Sequence, residues 1–74
     1  MIRYVNTKIT KDNDKYYASW VDENGEYWDY DTGGFNTKQE AIDTILLVEK
    51  YAHELSEIRN LKTIIYINGE KYEI

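Results

Sequence analysis

The chain has 74 residues and a net charge of −5, from nine Lys and Arg against fourteen Asp and Glu. This length predicts one domain, residues 1–74, near the lower limit at which a hydrophobic core alone holds a fold. It contains no cysteine, which excludes disulfides and a Cys-ligated zinc site. The acidic balance also disfavours direct nucleic-acid binding, because that affinity comes largely from basic side chains that neutralise phosphates.

Neither a secretory segment nor a membrane span is predicted. The longest apolar run extends only from Ile45 to Val48, far short of the length that crosses a bilayer. The N-terminus also becomes polar before an apolar stretch of secretory length can form. We therefore expect a soluble, cytoplasmic protein that makes no contact with a membrane.

Three strands are predicted in the first part of the chain. Residues 2–9 alternate loosely between apolar and polar side chains, and residues 16–22 are rich in aromatic side chains. The pair Asn24-Gly25 predicts a two-residue hairpin turn, because both turn positions favour positive φ. Residues 26–31 are then expected to return as the partner strand.

A long helix is predicted from residue 38 to about residue 59. Thr37 and Glu40 fit a capping box, in which each side chain satisfies a free backbone N–H at the start of the helix. Asn60 can adopt the left-handed conformation that ends a helix. The apolar stripe expected to face the core consists of Ala41, Ile45, Val48, Ala52 and Leu55, widened by Ile42 and Leu46.

A second hairpin is predicted at the end of the chain. Residues 62–67 are rich in β-branched side chains, Asn68-Gly69 is a second turn signal, and residues 70–74 complete the hairpin. The resulting order is βββαββ. We expect an α+β fold in which one long helix packs on one face of an antiparallel sheet. Whether the second hairpin extends that sheet or forms a separate flap stays open.

The register of the first hairpin predicts two chemically different faces. A two-residue turn places Trp20 opposite Asp29. The uncharged face, expected under the helix, consists of Tyr17, Ser19, Val21, Trp28 and Tyr30. The other face, expected to be open, consists of Tyr16, Ala18, Trp20, Asp22, Tyr27, Asp29 and Asp31.

Acidic residues are concentrated in this hairpin. Residues 22–31 hold five acidic side chains and no basic one, which equals the whole net charge of the chain. The two-residue turn sets Glu23 against Glu26, a mildly repulsive pair. A longer loop would relieve this repulsion and would change the register.

Exposed aromatic rings among carboxylates are typical of a surface that binds another protein. The alternative is that the rings cover the outer side of the sheet and the acids supply solubility. The predicted contact residues are Trp20, Asp22, Glu23, Glu26, Tyr27, Asp29 and Asp31.

No catalytic site, cofactor or metal site is predicted. The chain has no cysteine nucleophile and no glycine-rich phosphate loop before a helix. His53 shares a helix face with Glu49 and Glu57, but such a trio is more often a solvated helix surface than a set of metal ligands. Residues 29–40 partly match a calcium loop, although a strand precedes them instead of a helix.

Residues 16–50 carry a set of motif positions. These are Tyr17-x-Ser19-Trp20, Asp22-x-x-Gly25 and Gly34-Phe35-Asn36-Thr37-Lys38-Gln39-Glu40-Ala41. The last string resembles the Gly-Phe-x-Thr-Lys-x-Glu-Ala signature of the arm-type N-terminal DNA-binding domain of phage and transposon tyrosine integrases. The resemblance implies a three-stranded sheet packed on one helix, with the sheet entering a DNA groove. HicB-type antitoxins are similar in that an aromatic strand precedes a helix led by Glu-Ala.

The integrase-type sheet contacts DNA through basic and polar side chains, whereas the equivalent strands here carry acids. The leading hypothesis is therefore a small acidic non-enzymatic binding protein, encoded by a phage or mobile element, that engages a basic surface of a host protein. Its sharpest form is a nucleic-acid mimic that inhibits a host nuclease or defence factor.

Two other functions stay open. The first is an arm-type or antitoxin-like DNA-binding module, which would need a basic patch. The second is a structural or oligomerisation module that uses the helix edge Leu47, Tyr51 and Ile58. The basic patch of the first alternative would draw on Arg3, Lys8, Lys11, Lys15, Lys38 and Lys62.

Overall fold

The computed structural model describes residues 2–30, 33–55 and 62–74. The α+β class and the order βββαββ are confirmed. The elements are β1 (Ile2–Asp12), β2 (Lys15–Val21), β3 (Tyr27–Asp29), α1 (Lys38–Leu55), β4 (Lys62–Ile67) and β5 (Glu70–Glu73).

The five strands form one sheet in the order β3-β2-β1-β4-β5, with β1 at its centre. The second hairpin therefore extends the main sheet. Strands β1 and β4 pair in parallel, and the other pairs are antiparallel, so the sheet is mixed where a purely antiparallel one was predicted. The reason is the helical crossover, which returns the chain from the end of β3 to the end of the sheet where β1 begins.

Two-residue turns connect β1 to β2 at Asn13-Asp14, where φ is 48° and 65°, and β4 to β5 at Asn68-Gly69. The predicted turn at Asn68-Gly69 is confirmed, with φ of 51° and 86° and with Ile67 paired to Glu70. The Asn68 side chain also accepts a hydrogen bond from the Ile9 backbone N–H at 2.9 Å and donates one to the Ile9 carbonyl at 3.2 Å. This turn thereby joins β4 to the central strand as well as to β5.

The helix begins at the predicted capping box. Thr37 Oγ1 accepts a hydrogen bond from the Glu40 backbone N–H at 3.1 Å, as predicted. Glu40 Oε2 accepts one from the backbone N–H of Asn36 at 3.2 Å, one residue before the cap residue to which the capping box would join it. The predicted end of the helix near Asn60 lies outside the described residues. No helix among residues 2–30, 33–55 and 62–74 is long and apolar enough to cross a membrane.

The core lies between α1 and one side of the sheet, which we call the helix side. Ala41 and Ile45 are fully buried as predicted, but Val48 and Leu55 are exposed, and the third buried position of the helix is Glu49. The core cluster consists of Val5, Ile9, Ala18, Ala41, Ile45, Ile65 and Ile67.

Glu49 is the centre of a buried polar network. The residue is 6% exposed, and both carboxylate oxygens are satisfied: Arg3 Nη2 donates to Oε2 at 2.9 Å and the Tyr30 hydroxyl donates to Oε1 at 2.7 Å. Burial and the Glu49 carboxylate raise the pKa of Tyr30, which therefore keeps its proton as a donor. The network links the helix to β1 and to the residue that follows β3.

A second polar contact joins the later part of the helix to β4. His53 Nδ1 and Thr63 Oγ1 lie 2.8 Å apart, and Thr63 is fully buried. Buried hydroxyl groups in proteins are nearly always hydrogen-bonded, so this contact lets a polar side chain occupy the start of β4 beneath the helix.

We expect Arg3→Ala to lower the free energy of unfolding by about 1–3 kcal/mol, because Glu49 would lose its charged partner and stay buried. Chemical denaturation measures this loss. Lys50→Ala on the same helix is the control, since Lys50 is exposed, and it should change stability by about 0.5 kcal/mol or less. Equal losses in the two variants would contradict a stabilising role for the network.

Candidate protein-binding surface

The loop of the first hairpin contains three residues where two were predicted. The Asp22 N–H donates to the Glu26 carbonyl at 2.9 Å, and the Gly25 N–H donates to the Asp22 carbonyl at 3.0 Å. Gly25 has a φ of 81°, the left-handed conformation that follows a turn of this length. The longer loop separates Glu23 from Glu26 in the pairing, which removes the repulsion expected of the shorter turn.

The Asp22 side chain closes this loop from within. Its Oδ1 accepts hydrogen bonds from the backbone N–H groups of Asn24 at 2.8 Å and Glu26 at 3.0 Å, and its Oδ2 accepts one from Trp28 Nε1 at 2.9 Å. The Trp28 indole and these backbone groups hold the pKa of Asp22 below its ordinary value. Asp22 therefore organises the hairpin in addition to carrying charge.

The three-residue loop shifts the register of the strands by one residue. The predicted pairing of Trp20 with Asp29 is wrong, because an odd loop length changes which residues lie opposite each other. Trp20 and Trp28 instead lie on the same side and stack, with ring centroids 6.1 Å apart and an interplanar angle of 22°. The observed pairs are Ser19 with Asp29, Trp20 with Trp28, and Val21 with Tyr27.

The predicted assignment of β2 to the two sides of the sheet is also wrong. Ala18 was expected on the open side, but it is fully buried beneath the helix. It shares the core with Ala41, which is also fully buried, and two small side chains allow the helix to approach the sheet closely. By strand alternation, Trp20 then lies on the helix side.

The predicted contact residues do not share one side of the sheet. Trp20 lies on the helix side, Tyr27 and Asp29 lie on the opposite, open side, and all three are exposed. Asp31 lies outside the described residues. The other three, Asp22, Glu23 and Glu26, are in the loop.

These residues meet at the end of one hairpin, and we call residues 20–29 the acidic hairpin. It contains four acidic side chains and no basic one. Because β3 is the edge strand of the sheet, the hairpin is open on both sides and along its outer edge. The acidic character predicted for one face is thus a property of the sheet edge.

The open side of the sheet is mixed in charge beyond the acidic hairpin. Lys8 Nζ lies 5.6 Å from the centroid of the Tyr27 ring, a distance suited to a cation–π contact. Glu73 lies 3.2 Å from Lys62 Nζ and 3.4 Å from Lys71 Nζ. These lysines hold the pKa of Glu73 below its ordinary value. Glu73 is therefore paired with two lysines.

The basic residues required by the DNA-binding alternative do not form one patch. Arg3 is on the helix side and pairs with Glu49, whereas Lys8 and Lys62 are on the open side. Lys11 Nζ lies 5.7 Å from the Tyr16 ring centroid on the helix side. The charges are therefore distributed over both sides of the sheet.

A groove of about 740 Å³ lies between the acidic hairpin and the helix. Trp20, Asp22 and Glu23 form part of its hairpin wall, and Val48 and Ala52 form part of its helix wall. The sequence did not indicate this groove, because it depends on how the helix is rotated against the sheet.

An apolar surface of the helix continues from this groove. We call Leu47, Val48, Tyr51, Ala52 and Leu55 the exposed helix flank. The exposed fractions of Leu47, Tyr51 and Leu55 are 65%, 62% and 75%. The prediction that Val48, Ala52 and Leu55 face the core is wrong, because the helix turns Ala41, Ile45 and Glu49 toward the core instead.

Within the described residues, no group of three or more His, Asp or Glu side chains is arranged to hold a metal ion. Glu49, one of the helical trio considered from the sequence, is engaged by Arg3 and Tyr30. Its second member, His53, contacts Thr63. Glu57, the third, lies outside the described residues.

Comparisons with protein-family models, curated proteins and solved structures each found no match. The resemblance of residues 16–50 to integrase arm-type domains stays a prediction, as does the likeness to HicB-type antitoxins. The function proposed below therefore depends on the geometry and charge of the described residues.

Acidification should loosen the acidic hairpin at the Trp28 indole. The pKa of Asp22 is lowered from 3.8, so its hydrogen bonds stabilise the hairpin above about pH 3.8 and are lost as the pH falls through the folded-state pKa. As the pH falls below about 3.8, we expect the Trp28 indole N–H resonance to shift and the hydrogen exchange of this N–H group to accelerate. The Asp22→Asn variant has no carboxylate at this position, so its Trp28 resonance and exchange rate should not change with pH in this range. The same pH dependence in both proteins would contradict the role of Asp22 in holding the indole.

Proposed function

We propose that the protein is a small, non-enzymatic binding protein that engages a basic surface of another protein through its acidic hairpin. The observation that carries this proposal is the meeting of charge and aromatic area at one sheet edge. The hairpin combines exposed rings of Trp20, Tyr27 and Trp28 with the acids Asp22, Glu23, Glu26 and Asp29.

The two kinds of side chain have different roles in binding. Aromatic rings contribute affinity, because each removes a large apolar area from water when a partner covers it. Carboxylates contribute orientation and a fast encounter with a partner of opposite charge. Their combination in one short hairpin supports a specific protein contact over a merely solubilising surface.

The position of the rings on the hairpin supports a partner with a concave binding surface. Rings lie on both sides of the hairpin, with Tyr27 on the open side and the Trp20–Trp28 pair on the helix side. A flat partner would cover only one of these sides, whereas a cleft can enclose both. A basic cleft is also what many proteins use to hold nucleic acid.

In its sharpest form, the proposal is a nucleic-acid mimic encoded by a phage or mobile element. Its partner would be a host nuclease, defence factor or other nucleic-acid-binding protein, and the carboxylates would occupy positions that phosphates take. The density of charge supports this form, since residues 20–29 carry four acids and no base.

We expect charge reversal in the hairpin to abolish capture of a partner from a host lysate. In Glu23→Lys/Asp29→Lys, two exposed carboxylates that attract a basic surface become cations that it repels. The affinity for the captured partner should fall about 10- to 30-fold, because the substitutions remove a contribution equal to that of two to four weak surface ion pairs. Calorimetry with the purified partner measures this change.

A matched control separates local charge from net charge. Asp43→Lys/Glu54→Lys changes the net charge by the same amount at exposed positions of the helix. The affinity of this variant for the partner should stay within about twofold of the wild-type affinity, because salt screens long-range charge effects. Equal weakening of both variants, or no effect of the hairpin variant, would refute the proposal.

Direct binding of DNA is not expected. The basic residues are divided between the two sides of the sheet, and several are paired with acids. A gel-shift assay with short duplex DNA at low salt should show no complex, even where electrostatic binding is strongest. A complex that dissociates steeply with added salt would support the arm-type DNA-binding module instead.

A further inference from the structure

The exposed helix flank is arranged as a continuous ridge. Leu47, Tyr51 and Leu55 are four residues apart, so they lie on one face of α1 over about 12 Å. Val48 and Ala52 lie between this ridge and the groove. Exposed Leu and Tyr at this spacing offer anchors of the kind used when one helix binds another in a groove.

The wall opposite this ridge is negatively charged. Asp22 and Glu23 line the groove from the hairpin loop, and Asp29 borders it at the edge strand, with its side chain on the open side. On the floor, the Glu49 carboxylate is neutralised by Arg3, so that pair adds no net charge. A segment that fills the groove therefore meets apolar side chains on one side and, on the other, the exposed Glu23 carboxylate beside Asp22, whose oxygens accept hydrogen bonds within the loop.

A second copy of the chain fits this groove poorly. The exposed helix flank contains no charged residue, so a second flank would leave Glu23 unpaired. Each copy also carries a net charge of −5, which opposes self-association. The complement that the groove lacks is positive charge beside an apolar face.

An added strand is also a poor occupant. The free edge beside the groove belongs to β3, which has only three residues, Tyr27–Asp29. It offers few backbone hydrogen bonds to an incoming strand. A helix requires no such pairing, since helices pack through side-chain ridges at an axial separation of about 8–10 Å.

We infer that the groove and the exposed helix flank bind a cationic amphipathic helix of the partner protein. Its apolar face packs on Leu47, Val48 and Tyr51, and its Lys or Arg side chains pair with Glu23 on the hairpin wall. The inference rests on the proposed function, because the same hairpin acids attract the partner. It adds a second, apolar surface that the proposed function does not require.

The test uses the full chain and a synthetic helical peptide of about 18 residues with Leu on one face and Lys on the other. We expect this peptide to bind saturably and to form a one-to-one complex. Calorimetry and the fluorescence of the two tryptophans measure the binding. A peptide with Glu in place of Lys, and a peptide that scatters Leu and Lys over all faces, should each bind at least tenfold more weakly.

Two substitutions of matched exposure locate the contact. Val48 is 43% exposed on the helix flank, and Ile2 is 44% exposed at the start of β1, on the open side. Val48→Ser should weaken binding of the cationic amphipathic peptide about fivefold, and Tyr51→Ser should weaken it at least as much. Ile2→Ser should leave it within twofold. Circular dichroism verifies that each variant is folded.

The charge variant distinguishes failure of this inference from failure of the proposed function. If Glu23→Lys/Asp29→Lys weakens both cationic peptides equally and Val48→Ser weakens neither, the helix-binding inference is overturned and the proposed function stands. If the charge variant changes nothing, both are overturned. Tight binding of the peptide with Glu in place of Lys overturns the inference. So does a stable dimer, detected by light scattering, that prevents the cationic peptide from binding.

Discussion

The surfaces of this protein depend on how one buried carboxylate is satisfied. Glu49 lies on the core side of the helix and accepts hydrogen bonds from Arg3 and Tyr30. A buried charge without such partners would cost several kcal/mol, so these contacts constrain the rotation of the helix against the sheet. With Glu49 turned inward, Val48 and Leu55 are left exposed. The network therefore determines both the core and the exposed helix flank.

The second constraint is the loop of the first hairpin. Asp22 satisfies two backbone N–H groups and the Trp28 indole, which stabilises a three-residue loop. This loop determines the register, and the register places Trp28 beside Trp20 on the helix side and Tyr27 on the other side. The short edge strand then leaves the hairpin uncovered. A local carboxylate thus determines where the aromatic and acidic side chains meet.

These two constraints act at the same end of the molecule. The rotation of the helix leaves an apolar ridge on one side of the groove, and the hairpin supplies carboxylates on the other. Apolar area contributes affinity, and charge selects the partner. We therefore interpret the groove and the hairpin as neighbouring parts of one binding region. With no matching family, the proposal of a basic protein partner rests on this physical complementarity.

Local signals in the sequence determined the fold class, the order of elements, the cap formed by Thr37 and Glu40 and the Asn68-Gly69 turn, because each depends on residues close together in the chain. Tertiary structure decided the rest. The register needed the Asp22 hydrogen bonds, and the parallel pairing of β1 with β4 needed the crossover. The helix rotation needed Arg3, 46 residues from Glu49. An apolar stripe shows that a helix packs, but only distant partners decide which part of that stripe is buried.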